Sequence, residues 1–144
     1  GAPDFGLNVE GIFSQHLFAV PAVKAVAFGA GTAFSLMRGS EANDPFLTDG
    51  ERIYTKTNNN GGINGGITNA MPIVFRTVIK PTPTIFKPQN TVDFKNMTET
   101  VLEAKGRHDP AIVHRARIVQ DAATAIVICD MLAMRFGTDW INKL

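Results

Sequence analysis

The sequence predicts an α+β fold with antiparallel sheet and packed helices. Helical patterns lie near the two ends of the chain and short β-branched segments lie between them, without the regular alternation of a doubly wound fold. The chain has 144 residues, of which 44% are hydrophobic and 19% charged, enough to bury one ordinary core. We therefore expect residues 1–144 to form a single unit.

Two helices are predicted where apolar residues recur at helical spacing. The first spans 8–20, and either Asp4 or Asn8 can cap its start. The second spans 117–136, and Gly137 follows it in the position typical of a C-cap.

Four apolar segments predict strands. The runs at 22–28 and 32–37 are separated by a glycine-containing tripeptide, which favours a β-hairpin. Further strands are expected at 72–79 and 98–104, where β-branched residues are frequent. Between these segments, 38–56 has no periodicity and reads as a long loop that is functional or mobile.

Composition excludes several classes of function. A formal net charge of +1 gives no broad basic field, so we expect no nucleic-acid partner. Cys129 is the single cysteine, which excludes an internal disulfide and a cysteine metal cluster. No apolar run approaches the ~20 residues that span a bilayer, so we expect a cytoplasmic protein without membrane contact. The first residue is not Met, which suggests a fragment of a longer chain.

A tract of four glycines is the first candidate binding element. Gly61, Gly62, Gly65 and Gly66 alternate with Asn and Ile and lead into an apolar segment. Glycine lets backbone N–H groups approach an anion or a planar ligand, because no Cβ intervenes. A flexible linker is the alternative interpretation. The tract is neither a dinucleotide fingerprint nor a P-loop, since the required spacing and following residues are absent.

Two charged motifs follow the tract. Lys80 begins a Lys-Pro-Thr-Pro-Thr string whose hydroxyls can bind a phosphate, although an exposed lysine at a strand end is the simpler interpretation. Arg107, His108 and Asp109 bring a guanidinium, an imidazole and a carboxylate together before Pro110. Such a cluster is typical of proton transfer, and the alternative interpretation is that Asp109 caps a helix turn with Pro110 in its first position.

Taken together, five strings resemble chorismate synthase, in the same order and over nearly the whole chain. The glycine tract and Gly-Arg-His-Asp-Pro are highly specific as a pair. The resemblance is to the C-terminal part of the family's sequence only. The strings are Pro21-Ala-Val-Lys-Ala-Val26, Arg38-Gly-Ser40, the segment 59–73, Lys80-Pro-Thr-Pro-Thr84 and Gly106-Arg-His-Asp-Pro110.

The resemblance implies the last step of the shikimate pathway. That step is the anti 1,4-elimination of phosphate and a C6 hydrogen from 5-enolpyruvylshikimate 3-phosphate, which gives chorismate. It also implies reduced FMN as cofactor, a β-α-β sandwich in which helices pack between antiparallel sheets, and a homotetramer. Because the family's N-terminal histidines and arginines have no counterpart here, the isolated fragment is expected to be inactive.

The resemblance also assigns site residues. Asp109 matches the carboxylate that handles the flavin N5 proton, and Lys80 and Arg107 would act on the departing phosphate as further catalytic residues. Pro83 replaces a serine common in the family, which removes one hydroxyl donor. No metal is implied. The implied flavin-binding residues are Ala22, Gly65, Lys80, Pro81, Thr82, Pro83, Thr84 and Arg107.

Two other functions remain open at this point. The segment could serve mainly as a packing and oligomerisation module, with helix 117–136 at a subunit or sheet interface. It could also be a non-catalytic domain that binds phosphate through the glycine tract.

Overall fold

The computed structural model describes residues 2 and 4–138 of the chain. Within this range three α-helices and two short 3-10 helices, Phe5–Leu7 and Gly31–Leu36, combine with eight strands. The helices are α1 (Val9–Ala19), α2 (Gly39–Ala42) and α3 (Val113–Phe136). The strands are β1 (Val23–Phe28), β2 (Phe46–Thr48), β3 (Ile53–Thr55), β4 (Ile63–Asn64), β5 (Ile67–Thr68), β6 (Phe75–Ile79), β7 (Gln89–Asp93) and β8 (Thr98–Leu102).

Every strand pair of the described residues is antiparallel, which confirms the α+β prediction. The pairs are β1 with β6, β2 with β3, β4 with β5, and β7 with β8. Only the first joins strands that are distant in sequence, with Val23 opposite Ile79 and Phe28 opposite Phe75. The strands predicted at 72–79 and 98–104 are β6 and β8. Strand β7 was not predicted, because it follows a proline-rich segment.

The predicted hairpin of 22–28 with 32–37 is wrong. The first run is β1, but the second is a 3-10 helix over Gly31–Leu36. The turn between them bonds to other parts of the chain: Gly29 N–H donates to the Val74 carbonyl at 2.8 Å, and Ala30 N–H donates to the Asn59 carbonyl at 2.7 Å. These bonds direct the chain toward the glycine tract instead of back along β1.

The loop predicted at 38–56 is also wrong, because it contains α2 and the β2–β3 hairpin. The Glu41 carboxylate accepts a hydrogen bond from the N–H of Arg38 and caps α2. In the hairpin turn, Asp49 Oδ1 accepts from the N–H groups of Glu51 and Arg52. Short-range polar bonds of this kind fix a segment that has no apolar periodicity.

Both predicted long helices are confirmed. Asn8 caps α1, since its Oδ1 accepts from the N–H of Gly11 at 2.6 Å. Helix α3 begins at Val113, four residues before the predicted start, and ends at Gly137 with φ of +79°. Among the described residues, none of the helices is both long and apolar enough to cross a membrane.

The core lies where α1 and α3 pack against the β1–β6 pair. Phe13 is at its centre, with its ring 5.9 Å from that of Phe75 and 6.3 Å from that of Phe28, both in edge-to-face geometry. The Thr77 hydroxyl donates to Gln120 Oε1 at 2.7 Å, which ties β6 to α3. The buried core residues are Val9, Phe13, Leu17, Ile63 and Val127.

Candidate functional site

Pairing of β1 with β6 brings two predicted site residues together. The Ala22 carbonyl accepts a 2.7 Å hydrogen bond from the backbone N–H of Lys80. Ala22 has φ of +69°. Non-glycine residues rarely adopt this conformation, and those that do are concentrated at functional sites. The start of the Lys80–Thr84 segment is therefore fixed against the end of β1, while the Lys80 side chain is exposed.

An aromatic contact joins the two charged motifs. The ring of Phe86 lies 4.8 Å from that of His108 at an interplanar angle of 61°. This contact places the segment that follows Thr84 beside the segment 106–110. Thr82 Oγ1 and His108 Nε2 are both buried, and neither has a hydrogen-bond partner among the residues that the structure describes.

Asp109 forms an ion pair that sequence reasoning did not predict. Its Oδ2 accepts from Arg115 Nη1 at 2.8 Å, and the two side chains are 37% and 77% exposed respectively. The adjacent Arg107 is exposed and makes no ion pair within the described part of the chain. Asp109 does not cap α3, since Ile112 occupies the N-cap position without a side-chain bond. The helix-cap alternative for Asp109 is therefore wrong.

The first half of the glycine tract is required for packing. Gly61 and Gly62 are buried, and both have positive φ. A Cβ on Gly61 would lie 2.5 Å from the backbone nitrogen of Gly29, and one on Gly62 would lie 2.5 Å from the Pro72 carbonyl oxygen. Backbone therefore packs on backbone here, which a side chain would prevent.

The second half of the tract is a tight turn. Gly65 and Gly66 join β4 to β5 with φ of +57° and +81°, as a type I′ turn requires. The Gly66 carbonyl accepts from the N–H of Val9, and the Gly65 carbonyl accepts from the N–H of Ala2. Gly65 itself is exposed, so its surface is accessible to a ligand.

Sequence reasoning missed Asp44, which binds the asparagine segment, residues 58–60, just before these glycines. The Asp44 carboxylate accepts from the N–H groups of Asn59 and Asn60, each at 2.8 Å, and from the Thr57 hydroxyl at 2.7 Å. Burial raises the pKa of Asp44, but these three donors outweigh it, and the pKa lies below its ordinary value. No sequence pattern marks Asp44, because its partners lie 13 to 16 residues away.

A cleft of about 490 Å³ lies between the 3-10 helix Gly31–Leu36 and the asparagine segment. Arg76 is its charged residue, and one guanidinium N–H donates to the Gly29 carbonyl at 2.6 Å. None of the predicted site residues lines this cleft. Its lining is Gly29, Ala30, Thr32, Ala33, Met37, Asn58, Asn59, Val74 and Arg76.

The family model for chorismate synthase matches residues 1–133. The chain belongs to the chorismate synthase family. Chorismate synthase of Aeropyrum pernix is 47% identical over 146 residues, which cover 100% of this chain and 38% of that protein. Chorismate synthase of Thermococcus gammatolerans is 49% identical over 128 residues, which cover 89% of this chain and 36% of that protein. The chain thus spans well under half the length of these relatives.

A solved structure supports the same assignment. A crystal structure of chorismate synthase superposes with a TM-score of 0.74 at 29% identity, and the match covers 95% of this chain and 34% of that one. The α+β architecture with antiparallel strands is therefore that of the chorismate synthase fold.

The structure brings some of the chorismate synthase motifs close together but not all of them. Ala22 and Lys80 are hydrogen-bonded, and the Lys80–Thr84 and Arg107–Asp109 segments are joined through Phe86 and His108. Gly65 lies in the β4–β5 turn, where its bonded partner is Ala2 instead of either charged motif. Asp109 is paired with Arg115, and Arg107 lies two residues before it in the sequence. Within the described residues no cluster of His, Cys, Asp and Glu could hold a metal ion.

Proposed function

We propose that this chain supplies part of the active site of a chorismate synthase. The reaction is the elimination of phosphate from 5-enolpyruvylshikimate 3-phosphate to give chorismate, at the end of the shikimate pathway. The observation that carries the proposal is the contact between Phe86 and His108 in a chain of this family, because it places the residue two positions after the Lys80–Thr84 string against the histidine of the second charged motif.

The residues present fit reduced FMN as cofactor. Thr82 Oγ1 and His108 Nε2 are buried hydrogen-bonding atoms without a partner in the described part of the chain, and Lys80 and Arg107 are exposed cations suited to a phosphate. When bound, the flavin supplies electron density to the substrate as the carbon–oxygen bond to phosphate breaks. The residues that would hold it are Ala22, Gly65, Lys80, Pro81, Thr82, Pro83, Thr84 and Arg107.

Three side chains act on the reacting groups in this proposal. Lys80 and Arg107 offset the negative charge that grows on the departing phosphate. Asp109 holds the transferred proton at Oδ1, since Arg115 binds Oδ2 and fixes the carboxylate. Proton transfer by Asp109 and charge stabilisation by Arg107 thus come from one segment, and Lys80 adds positive charge from another.

A second candidate function rests on α3, whose outer side exposes large apolar residues. Ile118 is 64% exposed and Ile126 is 56% exposed. Such a side favours a packing and oligomerisation role, with the whole enzyme a cytoplasmic homotetramer. The two functions are compatible, because one concerns loops and the other a helix face.

The test is turnover of the full-length protein that contains this chain. We expect chorismate to form from 5-enolpyruvylshikimate 3-phosphate only when reduced FMN is present. The control is the same preparation with oxidised FMN. Absence of chorismate from a folded preparation that has reduced FMN would contradict the proposed reaction.

A further inference from the structure

Three buried side-chain atoms lack a hydrogen-bond partner among the described residues: Thr82 Oγ1, His108 Nε2 and Thr124 Oγ1. Buried polar groups in folded proteins are nearly always bonded, so each exception needs an explanation. Thr124 lies within α3, whereas Thr82 and His108 lie in the two charged motifs. The second pair is therefore a candidate for groups that are bonded only when a ligand is present.

Two contacts restrict the segment that carries His108. The imidazole makes an edge-to-face contact with Phe86, which is itself 72% exposed. The next residue in the sequence, Asp109, is paired with Arg115 at the start of α3. The segment that carries Thr82 is fixed in turn by the bond from Lys80 N–H to the Ala22 carbonyl. Both unpartnered atoms thus lie on segments whose positions the fold sets.

We propose that His108 is a ligand-binding residue that acts together with Thr82. His108 Nε2 and Thr82 Oγ1 each bind an oxygen atom of a phosphorylated ligand, which is either the flavin nucleotide or the substrate. Phe86 orients the imidazole for this bond. The proposal rests on the proposed function, and it adds a role for the histidine between Arg107 and Asp109.

Replacing His108 or Thr82 by an apolar residue of similar shape should lower the affinity for the ligand without lowering the stability of the free protein. In the ligand-free protein an unbonded buried polar atom is destabilising, so replacing it by an apolar group of similar shape is neutral or stabilising. His108→Phe keeps a ring against Phe86 but lacks Nε2, and Thr82→Val is almost isosteric. A residue used only for packing would show no loss of affinity with either change.

The experiment measures melting temperature and ligand binding in the full-length protein. FMN is titrated by fluorescence quenching, and 5-enolpyruvylshikimate 3-phosphate is titrated separately by calorimetry. We expect His108→Phe and Thr82→Val each to weaken binding of one of the two ligands roughly tenfold or more, the scale of a lost hydrogen bond to a charged group. The melting temperature of the free protein should stay constant or rise.

Thr124→Val is the matched control, since it removes the other unpartnered hydroxyl, which lies in α3 and outside the charged motifs. It should leave both affinities unchanged. His108→Gln should recover part of the lost affinity, because its side-chain amide restores a hydrogen-bonding nitrogen. The ligand whose affinity falls identifies the source of the bound oxygen.

Two failures are distinguishable. If the wild-type protein binds neither FMN nor the substrate, the proposed function is wrong. If the wild type binds both and the His108→Phe and Thr82→Val proteins bind them equally well, the role of His108 and Thr82 is overturned while the proposed function stands.

Discussion

The two oxygens of Asp109 have different surroundings. Arg115 holds Oδ2 at 2.8 Å, whereas Oδ1 makes no hydrogen bond within the described residues. A carboxylate fixed through one oxygen presents the other in a defined direction, which is what a proton-transfer group requires. The neighbouring Arg107 remains exposed and can act on an anionic ligand.

Replacement of Asp109 tests its role in proton transfer. Asp109→Ala in the full-length enzyme should lower turnover by ~10²-fold or more, the usual scale for loss of a positioned acid–base group. FMN affinity should change far less. Arg117→Ala is the control: it removes an exposed arginine of the same helix that forms no ion pair within the described residues, so turnover should stay near normal. Near-normal turnover of folded Asp109→Ala would remove the residue from the mechanism.

Arg107 should behave differently from Asp109. In the proposed mechanism its charge acts on the bound anion before and during the reaction, so Arg107→Ala should weaken FMN or substrate binding as well as turnover. Steady-state kinetics and FMN titration on one preparation separate the two effects. A fall in turnover alone, with both affinities intact, would contradict a role in ligand binding.

Asp44 should contribute to stability. Asp44→Ala leaves two backbone N–H groups and a hydroxyl without their acceptor, so we expect a loss of about 1–3 kcal/mol. Because the pKa of Asp44 is lowered in the folded state, its contribution is present above the ordinary value of 3.8 and is lost as pH falls below it. Urea denaturation should show a smaller difference in unfolding free energy between wild type and Asp44→Ala at pH 3 than at pH 7. A difference as large at pH 3 as at pH 7 would show that the carboxylate charge is not the cause.

At the scale of elements, local patterns were sufficient for the two long helices but not for the short helices or for strand pairing. Helices α1 and α3 follow from apolar spacing and caps, which lie within each segment. Strand β1 pairs with β6 across about fifty residues, and its sequence contains no information about that partner. The glycine-containing tripeptide at 29–31 therefore suggested a hairpin, although its bonds run to the asparagine segment and to the residue before β6.

The glycine tract is a second case in which local sequence did not reveal a long-range contact. Its composition indicated a ligand loop, yet Gly61 packs against Gly29. The family resemblance located the motifs along the chain, but it gave no sign that Phe86, which follows one motif, packs against His108 of another. Long-range backbone contacts of this kind leave no local pattern in a single sequence.

Substitution of Gly61 tests the packing role of the tract. Alanine at this position would be strained by the positive φ, and its Cβ would lie 2.5 Å from the Gly29 backbone nitrogen. Gly50→Ala is the matched control, since Gly50 also has positive φ but nothing lies within 4 Å of a built Cβ. By urea denaturation we expect the control to lower the free energy of unfolding by about 1–2 kcal/mol. Gly61→Ala should lower it clearly more. Equal losses would mean that the close approach relaxes without cost.

At the scale of the whole molecule, the chain exposes more surface than its mass predicts. Its accessible area is 10980 Å², whereas a compact monomer of 15.6 kDa would expose about 7,200 Å². Many large hydrophobic residues are exposed, and α3 carries several of them in addition to its buried Val127. A helix that is apolar on several sides is typical of a buried position. We infer that the outer side of α3 is covered in the full-length enzyme, whose relatives extend well beyond the matched region.

The stability of two forms of the protein tests this inference. Ile118→Ala and Ile126→Ala should each cost about 2–5 kcal/mol in the full-length enzyme if their side chains are buried there. In the isolated 144-residue chain the same changes should cost less than ~0.5 kcal/mol, because both side chains are more than half exposed. Asp121→Ala, at an exposed polar position of the same helix, is the control and should have little effect in either form. Small losses for both isoleucines in the full-length enzyme would mean that this side of α3 faces solvent in the complete protein as well.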